Sequence, residues 1–204
     1  MSEGLTKREQ NKADKQRRIL EAADSLFRAQ GFESTTTAQI AAEAGVGEGT
    51  LYLYVGSKED LLVSVFRRSA GRAWDEAVEL VDESDPVLHQ LMSLFGHVTR
   101  VHHGEIELAR AYFRQLEYVE EPARTGVDDF MRSIYGRLTA LLERNQAGGR
   151  LDDTVPVQTL AGNLFARWYL RMQRHTARGH SLEHTLGWLA EDFRVALWRM
   201  TPID

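Results

Sequence analysis

Cysteine does not occur among the 204 residues. Its absence removes disulfides, thiolate zinc sites, cysteine nucleophiles and thiol redox sensing together, and agrees with a reducing compartment. Long apolar runs are missing too, since no stretch approaches the roughly 20 residues of a membrane-spanning helix. The segment 1–19 is polar and charged and lacks the apolar centre of a secretory signal. A cytoplasmic protein is the expectation. The chain shows no strand-period alternation, no two-residue hairpin turn, no internal repeat and no low-complexity stretch. It also lacks a phosphate loop, a Gly-x-Ser-x-Gly elbow and a His-Glu-x-x-His pair, so the common marks of an enzyme are absent.

Positive charge is scarce as well. The formal net charge is −5, which by itself speaks against a nucleic-acid partner, but the distribution matters more than the sum. Residues 1–20 carry Lys7, Arg8, Lys12, Lys15, Arg17 and Arg18 against only Glu3, Glu9 and Asp14. Through Lys58 basic and acidic residues balance, so the surplus of acid lies beyond it. A basic N-terminal arm ahead of an acidic body suits a DNA reader; it equally suits a solvated tail.

What the chain has in abundance is helical periodicity, and the expected fold class is all-α. Ile19, Ala22, Ala23, Leu26 and Phe27 form one apolar face, stopped by Gly31. Thr36 with Gln39 three residues on predicts a capping box ahead of a short helix carrying Ile40, Ala41 and Ala44. Gly45-Val46-Gly47 breaks the chain, with Val46 expected in the core, and 48–55 predicts a third short helix. Ser57 caps a long helix with Leu61, Leu62, Val65, Phe66, Ser69 and Ala73 on one side. Further long helices follow from Pro86, from Leu108, after Pro122, from Pro156 and after Ser181, the last two joined by Gly179-His180-Ser181.

Two helices of about eight residues, joined by a turn on Gly45, are too short to hold in water alone. Using the helices before and after them as a platform, they form a helix-turn-helix whose second member enters a major groove. Gly45 suits the left-handed conformation such a turn demands. Thr36 and Thr37 place hydroxyls and free backbone N–H groups at a helix start, a natural phosphate site. Tyr52 and Tyr54 add phenolic donors and Lys58 a point charge, although Tyr52 as core and Lys58 as a solvated lysine remain alternatives.

Residues 13–73 resemble the tetracycline-repressor (TetR-type) transcriptional regulators. The likeness rests above all on Thr35-Thr36-Thr37-Ala38-Gln39-Ile40-Ala41, Ala44-Gly45-Val46 and the run from Gly49-Thr50-Leu51-Tyr52 through Leu53-Tyr54-Val55-Gly56-Ser57-Lys58. The resemblance implies an N-terminal three-helix DNA-binding domain over 13–73, with its helix-turn-helix at about 36–55, and a helical effector-binding and dimerisation domain over 74–204. About nine helices are implied in all. It further implies a sequence-specific regulator, most often a repressor, that binds a palindromic operator as a homodimer and is released by a small molecule. Thr37, Tyr52 and Lys58 would hold the DNA backbone, while Glu48, Gly49, Leu53 and Tyr54 approach base edges or flanking phosphates; Thr36, Gly47 and Thr50 complete the expected DNA-binding set. Gly47 departs from the family's frequent Ser or Thr at the recognition-helix cap, and Val55 from a frequent Phe. Glu48 places an acid where it either accepts from a cytosine amino group or repels phosphate.

The last two helices present apolar stripes suited to a four-helix bundle with a second copy, or to an ordinary internal core. The expected interface residues are Leu164, Trp168, Met172, Leu186, Leu189 and Phe193. The effector pocket implied by the family is assigned to His102, Tyr112, Phe113 and Trp168, with an apolar or aromatic ligand favoured over an anion. No cofactor and no metal site are expected, because His102 and His103 point apart on a helix and His180 and His184 straddle a helix break. Two other functions remain at this level: an enzyme with a helical active site, and a helical adaptor that binds protein. Glu117, Glu120 and Glu121, the dispersed carboxylates an enzyme reading would draw on, read better as a solvated face.

Overall fold

The computed structural model describes residues 6–121, 123–198 and 200, and the regular elements among them are all helical. They are α1 (Lys7–Gln30), α2 (Thr37–Glu43), α3 (Glu48–Tyr52), α4 (Lys58–Glu79), α5 (Val87–Gly104), α6 (Ile106–Gln115), a 3-10 turn at Leu116–Tyr118, α7 (Ala123–Ala147), α8 (Val157–Arg178) and α9 (Leu182–Ala196). Pro122, expected ahead of α7, lies outside the described residues. None of the helices described is long and apolar enough to cross a membrane.

The basic segment is not a solvated tail from Lys7 onward, because α1 begins there, twelve residues ahead of the first apolar-periodic position. The cause is local. Thr6 and Glu9 form a reciprocal capping box: the Glu9 amide donates to Thr6 Oγ1 at 3.3 Å and the Thr6 amide to Glu9 Oε2 at 2.8 Å. Arg17 then pairs with Asp14 and Glu21 at i,i+3 and i,i+4 spacing. Such pairs support a solvated helix that has no apolar face to bury.

The chain packs into two compact units whose boundaries fall within α4, α6 and α7. The first comprises Met1–Arg68 with Ala111–Gly126. Its core is Ile19, Ala22, Ala23 and Phe27 of α1, Ile40 and Ala41 of α2, Leu51 of α3 and Leu61, Leu62 and Phe66 of α4. Tyr112 stacks on Phe66 at 4.1 Å between ring centroids, with Phe113 edge-on at 6.2 Å. Val46, expected in this core, is only half-covered; its amide donates to Ala41 O at 2.9 Å, and its neighbours Ala44 and Leu51 are buried.

The second unit comprises Ser69–Arg110 with Val127–Asp204, and in it α9 lies against α8 and α5. Trp74, Phe95, Trp168 and Phe193 form its aromatic centre, with centroid separations of 5.0–5.9 Å. The Trp168 indole N–H donates to Thr99 Oγ1 at 3.0 Å, and the Thr99 hydroxyl in turn donates to Phe95 O at 2.7 Å. A buried indole is thereby satisfied without water. Gly179 ends α8 in the left-handed conformation, and Ser181 caps α9 by accepting from the His184 amide.

Most of the residues expected at the dimer face are already covered within the single chain. Leu164, Trp168, Met172, Leu189 and Phe193 are buried within the single chain, and Leu186 is half-buried. Side chains already covered in the monomer have no area left to bury against a second copy. The helical period placed the apolar stripe correctly, but that stripe faces α5. On α8 and α9 the exposed large apolar side chains are Leu170 and Val195.

Candidate nucleic-acid interface

The turn between α2 and α3 is set by a few atoms. Thr36 and Gln39 form the expected capping box, with the Thr36 amide donating to Gln39 Oε1 at 2.8 Å and the Gln39 amide to Thr36 Oγ1 at 3.2 Å. Gly45 adopts φ +64°, which a side chain would resist. Arg18 Nη1 donates to Ala44 O at 2.8 Å, so a cation from α1 closes the C-terminal end of α2. At Gly47, the N-cap of α3, no side-chain hydrogen bond is made, as its lack of a hydroxyl dictates. α3 ends at Tyr52 rather than Val55, and the chain tightens there, with the Tyr54 amide donating to Leu51 O at 2.9 Å.

Three of the expected DNA-facing residues are joined in one chain of hydroxyls. Thr37 Oγ1 donates to Glu48 Oε1 at 3.1 Å, and Thr37 Oγ1 and the Tyr52 hydroxyl lie 3.1 Å apart. A carboxylate only accepts, so the single Thr37 proton goes to Glu48 and the Tyr52 hydroxyl donates to Thr37. Neither hydroxyl proton is therefore idle without DNA. Tyr52 is half-exposed and Leu53, which follows it, stands out from the surface at 82% exposure. Gly49 is exposed and Thr50 half-exposed, so the outward face of α3 is small, polar and open.

Lys58, expected to grip the DNA backbone, is engaged within the chain. Its Nζ donates to Phe32 O and Thr35 O, both at 3.0 Å, and sits 4.3 Å above the Phe32 ring. That ring packs edge-on against Phe27 at 5.4 Å. Lys58 thus fastens the turn that leads into α2.

The basic residues of α1 divide into two groups. Arg17 and Arg18 are engaged by Asp14, Glu21 and the α2 terminus. Lys7, Arg8, Lys12 and Lys15, with Asn11, line an open groove of about 700 Å³ whose other wall is Leu53 and Tyr54. The Thr6-x-x-Glu9 pattern is the local signal that puts these cations on a helix; their place beside Leu53 and Tyr54 follows only from packing.

The four residues assigned to an effector pocket are all buried, and they fall in both units. Tyr112 and Phe113 flank Phe66 in the first. His102 and Trp168 lie 6.0 Å apart in the second, where burial pushes the His102 imidazole down to about 3, so it is neutral. His103 Nδ1 lies 3.0 Å from His175 Nε2, a pairing that sequence spacing does not show. Thr185 donates to Ser181 O, so it accepts from His175 Nδ1; a neutral His175 then accepts at Nε2 from His103. Burial, followed by the charges of His103 and His180, lowers the His175 value. Among the described residues no three His, Asp or Glu side chains converge as metal ligands.

Residues 19–65 match the family model described as bacterial regulatory proteins, tetR family. The chain is 23% identical over 154 residues to the fatty acid metabolism regulator protein of Bacillus subtilis (strain 168), covering 76% of this chain and 79% of that one. It is 27% identical over 185 residues to the transcriptional repressor KstR of Rhodococcus jostii (strain RHA1), covering 88% and 84%. The crystal structure of Thermus thermophilus FadR, a TetR-family repressor in complex with lauroyl-CoA, superposes with a TM-score of 0.74 at 22% identity, covering 93% of this chain and 96% of that one. The matched segment spans the capping box, the Gly45 turn, α3 and Lys58. Residues 19–65 thus form a TetR-type DNA-binding domain, and over most of its length the chain is similar to TetR-family transcriptional regulators.

Proposed function

We propose that the protein is a homodimeric repressor that leaves a palindromic operator when a fatty acyl thioester of coenzyme A occupies its second unit. The observation that carries the reading is the outward face of α3, with Leu53 exposed and Glu48 and Tyr52 tied through Thr37 beside a groove lined by four cations. Lys7, Arg8, Lys12 and Lys15 supply the phosphate attraction that α3 itself lacks. Two copies joined through α8 and α9, with Leu170 and Val195 in the contact, would set their α3 helices about 34–36 Å apart, one turn of duplex.

The ligand class rests on similarity to regulators whose names concern fatty acid metabolism and to a structure holding lauroyl-CoA. An acyl chain meets the apolar, aromatic character of the second unit, where Trp74, Phe95, Trp168 and Phe193 gather. The test is a gel shift with the DNA upstream of the protein's own gene, titrated with lauroyl-CoA and, separately, with coenzyme A. The shift is expected to vanish with the thioester, to persist with coenzyme A, and to be lost in Tyr52→Ala. A shift indifferent to lauroyl-CoA removes the ligand assignment, and the absence of any specific shift removes the repressor reading.

A further inference from the structure

The side chains on the open face of α3 are not equal in chemistry, and one of them is negative. Glu48 opens α3, is exposed, and stands between Gly47 and Gly49. A Cβ built at Gly49 meets nothing within 4 Å, and one at Gly47 meets only Thr50 Oγ1 at 3.8 Å. Glycines on both sides leave the carboxylate without side chains next to it in sequence, with room for a base pair to come close. Its orientation is held. Oε1 accepts from Thr37 at 3.1 Å, Thr37 is held in turn by the Tyr52 hydroxyl, and Oε2 has no donor among the described residues.

Resting on the regulatory reading above, we infer that Glu48 reads a cytosine in each operator half-site, with Thr37 and Tyr52 as positioning residues. A carboxylate offers only acceptors, so it requires a donor on the base edge. In the major groove only the cytosine N4 and adenine N6 amino groups donate. Adenine places its N7 acceptor next to N6, where a second carboxylate oxygen meets repulsion; cytosine has no acceptor of its own beside N4 on that edge. The rival role is repulsion alone, a charge that lowers affinity for every duplex alike. The cations lining the groove with Leu53 and Tyr54 at the other end of α3 attract the backbone there, so the acid need not prevent docking.

The experiment is selection from a pool of random-sequence duplexes by the full chain, in parallel for wild type, Glu48→Gln, Glu48→Ala and Thr37→Val. Titration of the selected duplex and its single base-pair variants follows, with thermal melting of each protein as a folding control. Wild type is expected to require one C·G pair per half-site by about tenfold. Glu48→Ala loses that preference, and Glu48→Gln moves it toward adenine, which an amide reads through N6 and N7. Thr37→Val weakens the same preference while retaining the carboxylate; a purely phosphate-binding Thr37 would instead weaken all duplexes equally. An unchanged motif in the Glu48 variants, or a uniform gain of affinity with base preferences intact, overturns the inference while leaving the DNA-binding reading in place. A wild-type pool that enriches no sequence overturns both.

Discussion

Lys58 discriminates most sharply between a structural and a DNA-gripping lysine. Its ammonium donates to two backbone carbonyls at 3.0 Å and lies 4.3 Å over Phe32, on a half-buried side chain. Lys58→Met keeps the aliphatic stem against the ring and deletes the charge. Each charged-donor hydrogen bond is worth about 1.5–3 kcal/mol when fully buried. Here both carbonyls regain some water, so the pair is discounted to about 1–2 kcal/mol, and the cation–π contact adds about 0.5–1 kcal/mol. A loss of about 1.5–3 kcal/mol is expected, confined to the turn 32–35 and to α2. Hydrogen exchange of α2 amides reads that loss locally, because sub-global opening is governed by the free energy of its own segment. Protection over Thr37–Glu43 should fall about tenfold to a hundredfold, since about 1.4 kcal/mol is a factor of ten. The opposite pattern, unchanged protection with the salt slope of DNA binding reduced by about one, would refute the reasoning and return Lys58 to a phosphate contact.

Thr36→Ala removes the acceptor that caps α2 and should cost about 1 kcal/mol, seen as faster exchange in the first turn of α2 and a lower urea midpoint. Equal exchange in mutant and wild type would contradict the cap. His102 gives a pH dependence. Its folded value is depressed to about 3 while the unfolded imidazole titrates near 6.5, so the unfolded chain takes up the proton first. Stability is thus complete above pH 6.5 and falls as pH drops toward 3, by about 2 kcal/mol at pH 5. His175 is lowered as well and acts in the same direction. Urea denaturation from pH 7 to 5 measures the slope; a flat profile, or the same slope in His102→Asn, would contradict it.

Much of the helix-turn-helix was legible because its determinants are local. The Thr36-x-x-Gln39 box, the positive φ at Gly45 and the Gly179-His180-Ser181 link each act within a few residues, where residue type fixes geometry. The start of α1 was equally local but was masked by charge: Thr6 and Glu9 cap a turn with no apolar residue to announce it. Long-range partners were out of reach. Nothing within five residues of Lys58 names Phe32 O and Thr35 O, and nothing beside Arg18 names Ala44 O. The stripe with Leu164, Trp168 and Phe193 was readable as buried, but periodicity does not say whether the cover is the same chain or another. The hydroxyl chain from Tyr52 to Glu48 spans two helices and follows only from their crossing.

The proposed DNA binding requires α3 to meet a duplex with the face that ends at Leu53. Leu53→Asp probes that contact without touching the core, since the side chain is 82% exposed and surface changes of this kind alter stability by about 0.5 kcal/mol or less. Fluorescence anisotropy with a labelled duplex from upstream of the gene, paired with a melting curve, is the measurement. Melting at the wild-type temperature together with at least about a tenfold loss of affinity is expected, as a carboxylate enters the groove of Lys7, Arg8, Lys12 and Lys15. Full-strength binding by a normally folded Leu53→Asp protein would mean that the duplex is held elsewhere.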